Sequence, residues 1–131
     1  MNTPKKEWWR HRARPDGFVF QMVQDDKESK MEMWTMPELI DLTEKWHVDR
    51  NLIDGATSKD QVLKLIQEVG ELSDSVCKGT DVKDDIGDCL VILINIAKRE
   101  GTTLEECLQV AYNDIKDRKG KMVDGIFVKE D

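Results

Sequence analysis

The segment KDQVLKLIQEVGELSDSVCKGTDVKDDIGDCLVILINIAKRE, Lys59 to Glu100, constrains the fold more than any other stretch of the chain. Val62, Leu65, Ile66, Val69, Leu72 and Val76 recur at helical spacing, and the pattern stops at Gly79, a residue suited to a helix C-terminus. A second helical run follows from about Asp81 to Glu100. It is almost wholly apolar from Cys89 to Ala97, with Asn95 the one polar interruption, and it stops at Gly101. Two apolar-faced helices separated by so short a break bury their faces by folding back on each other, so the spacing predicts an antiparallel helical hairpin.

The flanks add to this unit. Thr35, with Pro37 in the first turn and Glu38 three residues on, reads as the capped start of a helix ending near Arg50, with an apolar stripe of Leu39, Leu42, Trp46 and Val48. The stretch NLIDGAT reads as a loop, with Ser58 as the cap of the next helix. Thr102 or Thr103, with Glu105 or Glu106, offers a capping box for a last helix ending near Gly120. In the tail, Asp124-Gly125 between short β-prone runs signals a hairpin. The expected architecture is all-α: a four-helix bundle, then a short C-terminal β-hairpin.

With 131 residues the chain reads as one domain, residues 34–131, preceded by an N-terminal arm, residues 1–33. The arm carries Lys5, Lys6, Arg10, Arg12 and Arg14, a Pro15-Asp16-Gly17 turn and a possible strand near Phe18. Trp8 and Trp9 fit contact with nucleotide or membrane, and equally packing on the domain or on a partner subunit. A net charge of −7 argues against general nucleic-acid binding, which depends on clustered Lys and Arg. No apolar run reaches membrane-spanning length, and the N-terminus lacks a hydrophobic signal core. Cys77, Cys89 and Cys107 are odd in number and form no CxxC pair, so they read as small reduced core residues of a cytoplasmic protein.

The hairpin also carries chemistry. Glu68-Val69-Gly70-Glu71 and Asp85-Ile86-Gly87-Asp88 are carboxylate pairs at i, i+3, so each pair projects from one helical face. Each has a glycine before its second carboxylate, which costs roughly 1 kcal/mol relative to alanine. Such glycines fit a close approach of helix backbones, or space for something bulky. Counted outward from Gly79, the two pairs are offset by about two residues, roughly 3 Å at helical rise, so all four carboxylates can converge. They cannot all stay ionised in a half-buried site without cations, and hard oxygen ligands of this kind suit Mg²⁺ or Mn²⁺. Such a metal keeps positions open for substrate phosphates, which points to phosphoryl chemistry. The alternative is a set of ordinary surface charges. Lys116, Arg118, Lys119 and Lys121 can hold phosphate beside an acidic metal site, or simply complement a helix C-terminus. Trp46 can stack on a base, with His47 or Arg50 hydrogen-bonding it. Equally, Trp46 fits a core residue and His47 a surface one. Asp84 reads as a solvated neighbour without a role of its own.

Glu68xxGlu71 followed by Asp85xxAsp88 and CLVILINIA resembles the signature of the all-α nucleoside triphosphate pyrophosphohydrolases, the MazG-like family, and the tail NDIKDRKGKMVDGIFVKE resembles small, phage-type members. The resemblance covers roughly Trp34 to Glu130. It implies a Mg²⁺-dependent hydrolase that cleaves a (deoxy)nucleoside triphosphate to the monophosphate and pyrophosphate, trimming nucleotide pools. It implies Glu68, Glu71, Asp85 and Asp88 as metal ligands, with Glu71 and Glu68 the catalytic candidates and Glu71 placed to orient the attacking water. It implies Asn95, Asn113, Lys116, Arg118 and, by alternative spacing, Lys121 as triphosphate contacts. Asp85 stands where glutamate is commoner, and the shorter side chain suits action through water or on a second ion. A homo-oligomer, a dimer or tetramer, is implied as well, because one protomer has little surface to enclose a nucleotide. A non-catalytic nucleotide- or metal-binding helical oligomer is the alternative.

Overall fold

A computed structural model describes residues 32–131. The N-terminal arm, with Trp8, Trp9 and the possible strand near Phe18, lies outside the described residues except for its last two. The described chain is mostly helical: α1 (Met36–Asp49), α2 (Ser58–Lys78), α3 (Lys83–Arg99) and α4 (Leu104–Ile115), then β1 (Gly120–Val123) and β2 (Ile126–Lys129).

Each helix start follows from side chains that satisfy orphaned backbone N–H groups. At α1, Glu38 N–H donates to Thr35 Oγ1 (3.3 Å) and Thr35 N–H donates to Glu38 Oε1 (2.8 Å), the expected capping box. At α2 the cap is Thr57 rather than Ser58, closing a box with Asp60. Thr57 has the extended backbone that a cap requires, whereas Ser58 is already helical. The Ser58 hydroxyl instead donates to Glu100 Oε2 at 2.5 Å, tying the start of α2 to the end of α3. The α3 helix starts at Lys83, two residues later than the sequence predicts, because Asp81 Oδ1 accepts the Lys83 N–H outside the helix. Thr103 caps α4 by accepting from Glu106 N–H. That helix ends at Ile115 rather than near Gly120, so the basic stretch after Lys116 is not helical.

Gly79 terminates α2 at φ 73°, a left-handed conformation open to glycine, and the chain reverses there into α3. The α2–α3 contact is the most extensive in the fold, and α1 and α4 also pack on α3. The C-terminal hairpin pairs Gly120 with Lys129 and Val123 with Ile126. Asp124 (φ 50°) and Gly125 (φ 82°) both take the positive φ that a two-residue turn of this hand requires, as the sequence predicts.

The hairpin buries only one edge of the α2 apolar stripe, that of Leu65 and Leu72. Gln61, Leu65, Glu68, Leu72 and Ser75 are buried or half-buried, while Val62, Ile66, Val69 and Val76 stay exposed. In α1 likewise the inward positions are Ile40, Thr43 and His47, and Leu39, Leu42, Trp46 and Val48 face outward. Among the described residues the buried apolar ones are Ile40, Ile92, Ile94 and Ala97, a small core centred on α3. The cysteines are not core residues: Cys77 and Cys107 are exposed, Cys89 is half-buried, and all three are free thiols. No helix among the described residues is long and apolar enough to cross a membrane.

Candidate functional site

The seam between α2 and α3 is where the chemistry collects. From α3 the row Asp85, Asp88, Ile92, Asn95 and Arg99 faces inward at alternating steps of three and four. Polar and apolar residues therefore share a buried stripe. From α2, Glu68 enters the same seam and is 8% exposed.

The first two turns of α3 gather Asp84, Asp85 and Asp88, with one carboxylate oxygen of each lying within 4.8 Å of the others. Asp85 is buried and the other two are half-buried. The helix N-terminus, with no side-chain cap of its own, favours negative charge at this place. Asp84 thus belongs to the cluster and is not a mere solvated neighbour. Its position four residues before Asp88 puts both on one side of the helix.

Glu68 lies across the seam. Its Oε2 is 3.2 Å from Lys64 Nζ, while its Oε1 is buried and has no hydrogen-bond partner. A buried carboxylate oxygen left unsatisfied is costly, and a cation is the ligand that suits it. Burial first, and then the negative charge of Glu68, Asp88 and Asp85, push the Cys89 thiol above its ordinary value. One thiol thus feels carboxylates of both helices. Glu71 is exposed on α2 and lies outside the group formed by the aspartates, so the sequence-expected convergence of four carboxylates gives way to Asp84, Asp85 and Asp88 with Glu68 opposite.

Glu68 and Asp88 line a cleft of about 370 Å³ together with Trp46, His47, Leu52, Gln61, Lys64, Val91 and Ile92. Its lining includes an aromatic platform. Trp46 is 44% exposed, and the Arg50 guanidinium lies 4.5 Å from its ring centroid. A flat, partly open indole braced by a cation suits stacking against a planar ring.

The wall behind Trp46 is fixed by a buried polar network. Asn95 is 0% exposed. Its amide donates to Leu52 O (3.0 Å) and to His47 Nδ1 (3.2 Å), which leaves the ring proton on His47 Nε2 to donate to Val91 O (2.9 Å). Arg99 donates to the carbonyls of Leu52, Ile53 and Ala56 and to Asn95 Oδ1. One guanidinium on α3 therefore holds the α1–α2 loop. Two expectations change here. Asn95 is committed to this network and does not offer its side chain to a phosphate. His47 is a buried hydrogen-bonding residue and not a surface one. The inward row Asp88-Ile92-Asn95-Arg99 is the sequence signal that locates Arg99, since it keeps helical spacing with residues already singled out.

Other expected contacts do not reach the cleft. Asn113, Lys116, Arg118 and Lys121 are exposed, and none lines the cleft. Arg118 pairs with Asp114 (2.6 Å), Lys116 with Asp117 (3.6 Å), and Asn113 accepts from Gln109 (3.1 Å). A Cβ added at Gly70 or Gly87 would meet nothing within 4 Å, so close backbone packing inside the protomer is not the reason for either glycine.

No family model matches the chain, and no solved structure matches it. The chain is 41% identical over 69 residues to a protein of Haemophilus phage HP1 described as an uncharacterized 18.2 kDa protein in the rep-hol intergenic region. That match takes in 51% of this chain and 42% of the phage protein, so the chain spans less than half of that relative's length.

Proposed function

We propose that this chain is a divalent-cation-dependent nucleoside triphosphate pyrophosphohydrolase of MazG-like type. The observation that carries the reading is the buried Glu68 carboxylate, with an unpartnered oxygen, in a cleft that it lines together with Asp88 and an exposed tryptophan. Acid clusters on a surface are common. An acid cluster facing a desolvated carboxylate beside a stacking platform is a much narrower arrangement.

The donor set fits Mg²⁺ or Mn²⁺: carboxylate oxygens alone, three of them within 4.8 Å, at a helix start. Asp84, Asp85, Asp88 and Glu68 would hold the ion, which would supply charge neutralisation for a triphosphate and a more acidic water. The chain's own groups do the rest. Trp46 stacks against the base, and the Arg99–Asn95–His47 network keeps it in place. Glu68, the α2 carboxylate that lines the cleft, orients the attacking water toward the α-phosphorus, while Glu71, one turn away, is exposed and outside that lining. Cleavage between the α and β phosphates then leaves the monophosphate and pyrophosphate. The reading includes self-association, because Val62, Ile66, Val69 and Val76 of α2 and Leu39 and Leu42 of α1 are exposed on one protomer.

One observation favours a different class, a nucleotide- or metal-binding helical oligomer without turnover. Lys116 and Arg118 are engaged by acids of their own segment, and Glu71 lies outside the lining of the cleft. Incubation with a panel of ribo- and deoxynucleoside triphosphates and Mg²⁺ separates the readings. The hydrolase yields monophosphate and pyrophosphate. Binding without product means the regulator, and orthophosphate means a phosphatase. In the hydrolase, Glu68→Gln and Asp88→Asn each lower turnover by roughly a hundredfold or more with helical content unchanged, because each removes an anionic ligand of the cation that would stabilise the transition state, a loss of about 3 kcal/mol or more. Near-wild-type turnover in both variants rejects the site.

A further inference from the structure

Lys64 is the cation in the cleft that the hydrolytic reading leaves unused. It lies one helical turn before Glu68, with its ammonium 3.2 Å from Glu68 Oε2 and 3.4 Å from Gln67 Oε1. Among the described residues it is the one ion-pair partner of Glu68. Its side chain is 50% exposed, whereas that of Glu68 is 11% exposed. The pair is therefore lopsided: a nearly buried anion faces a cation that keeps half its surface in water.

Such a pair is easily broken. Exposed partners gain little from an ion pair, and lysine placed before glutamate at i, i+4 is the poorer order. A divalent cation binds carboxylate oxygen at about 2.1 Å with twice the charge, so it takes Glu68 away from the ammonium. The displaced lysine does not leave the cleft. Its four-carbon stem is anchored on α2 among the lining residues, which include Trp46 and Asp88.

We infer that Lys64 is a phosphate-holding residue controlled by metal occupancy: it neutralises Glu68 when no cation is bound, and it passes to the phosphoanhydride of a nucleotide once a divalent cation holds Glu68. This inference rests on the proposed metal site. It gives the cleft a cationic contact that Lys116, Arg118 and Lys121 do not provide as placed. It also predicts an ordered response, in which nucleotide binds well only after the cation, because until then Lys64 is engaged.

The test uses the full chain and two readouts that need no turnover. Mn²⁺ binding without nucleotide is followed by the electron paramagnetic resonance of free Mn²⁺. Binding of a non-hydrolysable α,β-imido deoxynucleoside triphosphate is then measured at saturating Mn²⁺. Lys64→Gln keeps a good helix former at a half-exposed position, so the fold survives, as circular dichroism verifies. The variant is expected to bind Mn²⁺ roughly three- to tenfold tighter, because a competing positive charge is gone. It is expected to bind the analogue about tenfold weaker, because a charge-assisted contact is gone. Lys64→Arg restores most of the analogue affinity. An unchanged or weaker Mn²⁺ affinity, or an unchanged analogue affinity, in Lys64→Gln overturns the inference while leaving the metal site standing. Failure of wild-type protein to bind Mn²⁺ overturns both.

Discussion

Cys89 reports on the carboxylates around it. Its thiol is held above its ordinary value by burial and by the charges of Glu68, Asp88 and Asp85. A raised value keeps the thiol protonated over a wider pH range, and only the thiolate is nucleophilic. At pH 8, iodoacetamide is therefore expected to label Cys77 and Cys107, both exposed, well before Cys89. The Cys89 rate should climb only above the usual cysteine range of about 8.5. Peptide mapping of a time course reads all three thiols at once, and equal rates would mean that the carboxylates do not crowd this side chain. At the same scale, sequence and structure agree unevenly. Asp88 is legible from its i, i+3 partner and from the turn at Gly79. Asn95 and His47 are not, because an amide or imidazole in an apolar run reads the same whether it awaits a ligand or is satisfied inside. Only the partner atoms decide, and these come from the α1–α2 loop, far away in sequence.

The α1–α2 loop illustrates how elements are locked together here. Arg99 donates from the last turn of α3 to three carbonyls of that loop and to Asn95. Arg99→Met keeps the aliphatic stem and strands those acceptors. Each part-buried acceptor left unmade costs about 1 kcal/mol or more, so a loss of roughly 3 kcal/mol is expected. Chemical denaturation should show it as a lower midpoint with unchanged slope, and an unchanged midpoint would mean that the guanidinium carries no part of the loop's order. The helices themselves were largely legible, since Thr35, Gly79, Thr103 and Asp124-Gly125 act through local hydrogen bonds and backbone geometry. Where boundaries moved, a competing local bond explains it: Thr57 in place of Ser58, and Asp81 holding the α3 start back to Lys83. What periodicity misjudged was the inward row. The hairpin buries only the Leu65 and Leu72 edge of the α2 stripe, with Glu68 in the same row, and leaves Val62, Ile66, Val69 and Val76 outside.

For the whole molecule that mismatch is the main clue to its assembly. Among the described residues four buried apolar side chains make a small core, while Val62, Ile66, Val69 and Val76 form an exposed apolar row on α2. The proposed self-association covers that row. Sedimentation at micromolar concentration should give at least a dimer, and Ile66→Glu should shift it toward monomer by placing a charge in the interface; a monomeric wild-type protein would reject the proposal. The α2–α3 reversal at Gly79 also sets the order in which the molecule comes into being. Closing a short turn takes well under a microsecond, whereas Arg99 must find loop carbonyls 43 and 47 residues away. During synthesis, Glu68 and the aspartates can be facing each other as soon as α3 leaves the ribosome, before α4 or the β-hairpin has emerged. A chain truncated after α3 would then already carry the acidic seam, so the remaining quarter of the protein serves what is built upon that seam.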